Sequence, residues 1–300
     1  MNLDDIVKNA RRLCEPYKVT TGKGFQLKTV DPADTGPFKA RDKASARKAL
    51  VTGVEALAEL QERLYANDTW ALLLVFQAVD AAGKDSAIKH VMSGVNPQGC
   101  EVYSFKQPSS EELDHDYLWR CARLLPRRGH IGIFNRSYYE EVLVVRVHSE
   151  LLLKQKLPPE LRGPRIWRER HEDIAAFERY VTRNGIAVRK FFLNVSKGEQ
   201  KRRFLERIDR PEKRWKFSPG DIDERRHWNR YMASYEDAIR ATATKQAPWF
   251  VVPADHKWFT RVVVAAAIID ALSSLDLRYP EVTAADRQAL AKARQALERG

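Results

Sequence analysis

Apolar residues recur at helical spacing through Leu50, Val54, Leu57, Leu60 and Leu64 and stop at Asn67-Asp68, which predicts an amphipathic helix closed by a turn. The next apolar positions are contiguous: TWALLLVFQAV is a run of strand length, expected for a central strand covered on both faces. A short glycine-containing loop follows, and Ser86 to Val95 reads as a helix. Ser109 to Glu112 has the form of a capping box opening a helix on which Leu113, Tyr117, Cys121 and Leu124 share a face, with its end at Pro126. GHIGIFN, residues 129–135, is a second short buried strand. EEVLVVRVH, residues 140–148, is ambiguous: its β-branched residues favour a strand, while the preceding NRSYYEE and the alternation of elements favour a helix. Ile166, Ile174, Phe177 and Val181 line a further helix closed by Asn184-Gly185, and IAVRKFFLNV is a third strand. Ser196 and Glu199 form a second capping box at the start of the basic helix KGEQKRRFLERI, which a loop, KRWKFSPGDID, follows. A helix through Trp228, Tyr231, Tyr235 and Ile239, a fourth strand in PWFVVPAD, an apolar helix from about Trp258 to Leu275 and an Ala-rich terminal helix complete the chain.

Strands alternating with helices predict an α/β fold: a three-layer sandwich with a mostly parallel central sheet, the architecture of nucleotide-type kinases. Residues 1–45 are polar and broken by Pro and Gly, so they read as an N-terminal arm lying over the surface. Residues 46–280 form the main domain, and 281–300 the C-terminal helix. No internal repeat is present in the sequence.

The composition, 44% hydrophobic and 31% charged over 300 residues, is that of a globular chain. No apolar run reaches the roughly 18 residues of a membrane span, and the longest candidate, Val262 to Leu275, is interrupted by Asp270. The N-terminus places acids before bases and lacks an apolar core, so a cytoplasmic protein without a membrane partner is expected. Cys14, Cys100 and Cys121 are odd in number and far apart, which argues against a disulfide framework or a Cys-x-x-Cys metal site. With 52 Lys plus Arg against 40 Asp plus Glu, the net charge is +12, and the pI is near 9.6. Such a chain attracts polyanions.

The loop in FQAVDAAGKDSAIKHV departs from the phosphate-binding pattern G-x-x-x-x-G-K-[ST] at two places, with Ala78 for the first Gly and Asp85 for the hydroxyl residue. Its strand-loop-helix setting nonetheless suits phosphate, because a helix N-terminus offers free N–H groups and the positive end of a dipole. Gly83 admits close approach of the backbone. The N–H groups of Ala81, Ala82, Gly83, Lys84, Asp85 and Ser86 can form an anion nest, and Lys84 can reach a phosphate oxygen, with Lys89 one turn on. The carboxylates of Asp80 and Asp85 repel a phosphate unless a cation lies between, so Mg²⁺ held mainly by Asp80 is the natural completion. Asp85 has a second reading, since an acid in the first turn gains from the helix dipole without any metal. Arg136 follows the second strand, at the sheet edge where open α/β folds bind ligands, or else it pairs with Glu140 or Glu141. Lys201, Arg202, Arg203 and Arg207 cannot share one helix face; with the Pro- and Gly-containing loop after them they read as a lid, at about 197–223, that delivers charge to a phosphoryl group.

The segments VDAAGKDSAIKHVMSGVNPQGCEVYSFKQPS, GHIGIFNRSYYEEVLVVRVH, EQKRRFLERIDRPEKRWKFSPGDIDER and APWFVVPADHKWFTR together resemble the polyphosphate kinase 2 family, in that family's order. The resemblance implies a P-loop kinase fold related to thymidylate kinases, a helical lid, Mg²⁺ dependence, and reversible transfer of the terminal phosphoryl group of inorganic polyphosphate to AMP and/or ADP. It implies adenine, and by extension guanine, nucleotides as partners, no nucleic acid, and a homo-oligomer, dimer or tetramer. The family's loop Asp falls on Asp80 and its Lys on Lys84. Where the family often has Asp-Arg-Ser this chain has Asn135-Arg136-Ser137, the form that resembles the branch handling nucleoside mono- and diphosphates. The lid match falls on Lys213, Trp215 and Lys216, and also on Arg203 and Arg207. Asn96, Lys106, Asn135 and Glu140 are candidates for the nucleotide. Two other functions stay open on the residues: an ATP-dependent nucleoside or small-metabolite kinase, against which the replaced hydroxyl argues, and a nucleic-acid-binding module, for which no helix-turn-helix, zinc or RNA-recognition motif is evident.

Overall fold

A computed structural model of the chain describes residues 2–39 and 42–299. Its sheet consists of β1 (Lys18–Val19), β2 (Ala71–Gln77), β3 (Cys100–Ser104), β4 (Ile131–Asn135), β5 (Ile186–Asn194) and β6 (Trp249–Pro253), in spatial order β1-β6-β5-β2-β4-β3. β2 to β6 are parallel to their neighbours, and β1 runs antiparallel to β6. The helices are α1 (Leu3–Cys14), α2 (Lys43–Asn67), α3 (Lys84–Val91), α4 (Ser110–Leu113), α5 (Trp119–Ala122), α6 (Val144–Val147), α7 (Ile166–Arg183), α8 (Lys197–Asp209), α9 (Gly220–Arg226), α10 (Trp228–Thr242), α11 (Lys257–Ser273) and α12 (Ala284–Arg299).

All of β2 is buried, and its alternate residues feed two separate cores. Leu72, Leu74 and Phe76 pack with α1, α2, α3 and α11, while Leu73 and Val75 pack with α5, α7 and α10. A strand buried on both faces needs no polar side, which is why its sequence is an unbroken apolar run. The chain leaves β2 for β3 and β4 on one side and returns to β5 and β6 on the other. The carboxyl end of β2 is therefore a switch point, where loops diverge and leave a crevice.

Several local expectations change. The helix expected from Ser109 to Pro126 is two short turns. The capping box is present in both directions, but α4 stops after Leu113 and the chain restarts at α5, with the Asp116 carboxylate accepting from the Leu118 N–H between them. That side-chain bond competes with continued helix. At Ser196 only half the box forms: its hydroxyl accepts from the Glu199 N–H, while its own N–H donates to Asp255. The ambiguous segment 140–148 is helical, with α6 at its centre. Asp270, which interrupts the apolar run of α11, is buried against Arg11 and Lys18 at 2.8 and 3.3 Å; these pairs fasten the N-terminal segment, which contributes α1 and β1, to the body. Among the described residues no helix is long and apolar enough to cross a membrane.

Candidate functional site

Residues 78–83 turn the chain from β2 into α3. Ala81 and Gly83 both take positive φ, 62° and 106°. Gly83 is the N-cap of α3, a position at which a side chain would be strained. The first intrahelical bond runs from the Ala87 N–H to the Gly83 carbonyl, so the N–H groups of Lys84, Asp85 and Ser86 have no partner within the helix.

The loop's carbonyls, by contrast, are occupied. Arg203 Nη1 donates to Ala81 O and Ala82 O at 3.0 and 2.7 Å, Gln200 Nε2 to Asp80 O at 3.0 Å, and Lys84 Nζ to Ala78 O at 2.9 Å. Each bond engages a carbonyl and so fixes the peptide whose N–H side is available to an anion. Arg203 is buried, with Nε on Glu199 and Nη2 on the carbonyls of Ala254 and Asp255. Every nitrogen of its guanidinium is engaged, so where the sequence suggested a charge contact with the transferred group, the structure shows a clamp on the loop backbone.

The loop forms one wall of a cleft of about 780 Å³, which brings together Asp80, Ala81, Ala82, Gly83, Lys84, Asp85, Ser86 and Lys89 with Lys106, Asn135, Arg136, Arg203, Arg207, Lys213 and Lys216. Burial lowers the pKa of the Lys84 amine, with Asp80 pulling the other way. Arg136 takes a positive φ of 64° immediately after β4, and its guanidinium lies 3.6 Å from the Asp80 carboxylate. Below it, Ser137 accepts from Gln77, and the hydroxyls of Tyr138 and Tyr139 donate to Glu178, which is ion-paired with Lys190 in the core. This buried network holds the turn that carries Arg136. Asn135 Nδ2 donates to Asp85 Oδ1 at 2.8 Å, which ties the end of β4 to the start of α3. In the lid, Arg207 donates to Lys216 O at 3.2 Å and Lys213 pairs with Glu206 at 2.6 Å. Lys216 sits over the exposed ring of Trp215.

Two charged residues lining the cleft had not been singled out in the sequence: Glu206 and Lys257. Lys257 opens α11 directly after β6, and burial, then the neighbouring Arg203, lowers its pKa. Its signal was available, since the carboxyl end of each parallel strand faces the crevice.

Asn96 is elsewhere. Its carboxamide accepts from the Gln98 N–H and caps the turn at Pro97–Gly99, and it does not line the cleft. Glu140 lines a second, smaller cleft of about 260 Å³, which shares Asp80 and Arg136 with the first and is walled by Glu224, Trp228, Tyr231 and Tyr235. Burial raises the pKa of the Glu140 carboxyl, against the opposing effects of Arg136 and Lys84. Burial works against the charge on Arg136, yet Glu140 and Asp80 hold it above its ordinary range.

A loop of this kind at the carboxyl edge of a parallel sheet, facing a helical segment rich in bases, defines the P-loop kinases. The family model for polyphosphate kinase 2 matches residues 40–280. The chain is 48% identical to an ADP-polyphosphate phosphotransferase of Rhodopseudomonas palustris, over 95% of this chain and 96% of the relative. It is 44% identical to an AMP/ADP-polyphosphate phosphotransferase of Meiothermus ruber, over 88% and 95%. The crystal structure of a polyphosphate kinase 2 from Arthrobacter aurescens superposes with a TM-score of 0.83 at 39% identity, covering 93% of this chain and 96% of that one. The chain belongs to the polyphosphate kinase 2 family and is a kinase-type phosphotransferase.

Proposed function

We propose that the protein transfers the terminal phosphoryl group of inorganic polyphosphate to AMP and/or ADP, reversibly and with Mg²⁺. The observation that carries this reading is the meeting of two unlike clefts at Asp80 and Arg136. One is lined by lysines, arginines and a phosphate loop, the other by aromatic rings and carboxylates. A polyanionic donor suits the first, and a nucleoside, with its stacking base and hydroxyls, suits the second.

In this reading the loop amides and Lys84 hold the donor's terminal phosphate, and Lys213, Lys216 and Lys257 hold the chain behind it. An oxygen of the nucleotide's own phosphate attacks the terminal phosphorus in line, the bond to the bridging oxygen breaks, and a polyphosphate shorter by one unit leaves. Arg136, placed between the clefts, stabilises charge on the transferred oxygens, with Arg207 as the lid's contribution.

The residues fit Mg²⁺. Among the described residues no group of three or more His, Cys, Asp or Glu forms a ready-made cage. Asp80 presents a carboxylate, 38% exposed, whose ion pair with Arg136 is a long 3.6 Å. One carboxylate completed by substrate phosphates and water is how Mg²⁺ is commonly held. When bound, it supplies neutralisation of the phosphate oxygens. Asp85 is less available, being hydrogen-bonded to Asn135.

The relatives named above divide between ADP and AMP/ADP; Asn135 favours the wider acceptor range. A cytoplasmic homo-oligomer completes the reading. Purified protein with Mg²⁺, polyphosphate and either AMP or ADP, in the absence of ATP, is expected to form ADP or ATP, followed by chromatography. Formation of neither, with ATP-dependent phosphorylation of a nucleoside in its place, overturns the proposal.

A further inference from the structure

Gln200 is buried, at 3% exposure, on the face of α8 that meets the phosphate loop. Its amide is satisfied at both ends: Nε2 donates to Asp80 O at 3.0 Å, and Oε1 accepts from Arg225 Nη1 at 2.6 Å. The orientation is dictated by the partners, because the reverse would set the amide's donors against a guanidinium and its oxygen against a carbonyl. Arg225 belongs to α9, the helix that ends the lid, and the same Nη1 also reaches Lys197 O at 2.9 Å, at the start of α8. Gln200 and Arg225 both line the smaller cleft beside Asp80, and neither contributes to the basic one.

The geometry points to a positioning relay, Arg225 to Gln200 to the Asp80 peptide, through which the seating of the lid helix α9 sets the loop residue on which the two clefts converge. The relay rests on the functional reading above. Its chemistry is that of a polarised chain of hydrogen bonds: the guanidinium draws on Oε1, which strengthens Nε2–H as a donor to the Asp80 carbonyl and holds that peptide, and with it the Asp80 side chain, in one orientation. When α9 is displaced, Gln200 loses the partner that orients it, and Asp80 is free to turn. The catalytic loop is thereby made to depend on a seated lid, and transfer is confined to the closed site.

Two measurements test the relay. In steady-state kinetics, Gln200→Met and Arg225→Met are each expected to lower kcat by about tenfold, with the KM for polyphosphate within about twofold of the parent, since the lid lysines are untouched. The double variant should be no worse than either single one, because both break the same chain. Gln200→Glu keeps the contact with Arg225 but cannot donate to Asp80 O, so it should lose as much as Gln200→Met, whereas Arg225→Lys should recover most of the rate. Additive losses in the double variant, or a fully active Gln200→Glu enzyme, overturn the relay. In substrate-free protein, Arg225→Met should speed amide exchange in residues 78–86 by about fivefold, and unchanged exchange there also overturns it. Because that readout needs no substrate, faster exchange in a protein that transfers nothing from polyphosphate would sink the functional reading and leave standing only the coupling of α9 to the loop.

Discussion

The phosphate loop and the lid both present positive potential to the same cleft, but by different means. In the loop it comes from backbone N–H groups and a half-buried lysine, and the peptides are held by bonds from Arg203, Gln200 and Lys84 to four successive or near-successive carbonyls, those of residues 78 and 80–82. In the lid it comes from amines on long stems, Lys213 and Lys216, whose contacts are with Glu206 and Trp215 of the same segment. Fixed dipoles need no reorganisation when charge shifts in the transition state, whereas mobile amines near water bind a polyanion before and after transfer alike. The loop should govern rate and the lid lysines affinity.

The largest expected effects therefore belong to the loop. Asp80→Asn removes the carboxylate proposed to hold Mg²⁺; kcat should fall by about 10³-fold, with a smaller change in the KM for polyphosphate. A variant that keeps Mg²⁺-dependent turnover would show the metal assignment to be wrong. Arg203→Ala should cost about 10²-fold in kcat by releasing the loop peptides that its guanidinium holds. If it instead raised only KM, Arg203 would be a donor contact after all.

Next in size is the lid. Lys213→Ala with Lys216→Ala should raise the KM for long polyphosphate by about tenfold and leave kcat within about threefold. The salt dependence of KM should weaken too, because two screened charges have been removed. A loss confined to kcat would erase the contrast between the two regions.

Asn135→Asp sharpens the comparison in the basic cleft, beside Arg136. The present amide donates to Asp85; a carboxylate in its place sets two acids within hydrogen-bonding distance, which a shared proton or a cation between them must relieve. Activity should drop several-fold at low Mg²⁺ and recover as Mg²⁺ rises, and the ratio of AMP to ADP use should move. Indifference to Mg²⁺ would mean that Asp85 lies outside the metal's reach.

What the sequence made legible was local in nature. β2, its loop and α3 follow from an apolar run, a glycine and a helix start, and the lid from a density of bases beside Pro and Gly. Arg203 was legible as a base but not as a clamp, because the loop carbonyls it holds, Ala81 and Ala82, are 122 and 121 residues away along the chain. Trp228, Tyr231 and Tyr235 have helical spacing and read as one face of a core helix; only folding shows that they turn toward a cleft containing Asp80. β3 escaped a firm assignment as a strand because it is a half-exposed edge without a buried run. Family resemblance located Asn135 and Lys213, but it could not say that one would bond to Asp85 and the other to Glu206.

The smallest effect tests whether the rigid region carries a stability cost. The pKa of Glu140 is raised by burial, more than Arg136, Lys84 and the Gln77 amide offset. An acid whose pKa rises on folding favours the folded state less when ionised, so the penalty is fully present above its folded pKa and disappears below the ordinary glutamate value near 4.3. Glu140→Gln should therefore raise Tm by about 1–3 °C at pH 8, with the advantage shrinking as the pH falls and gone near pH 4. Activity should fall in the same variant, as expected where a carboxylate is retained for function at some expense of stability. If the Gln variant is instead less stable at pH 8, attraction to Arg136 outweighs burial, and the smaller cleft is a source of stability rather than a place where strain is kept for chemistry.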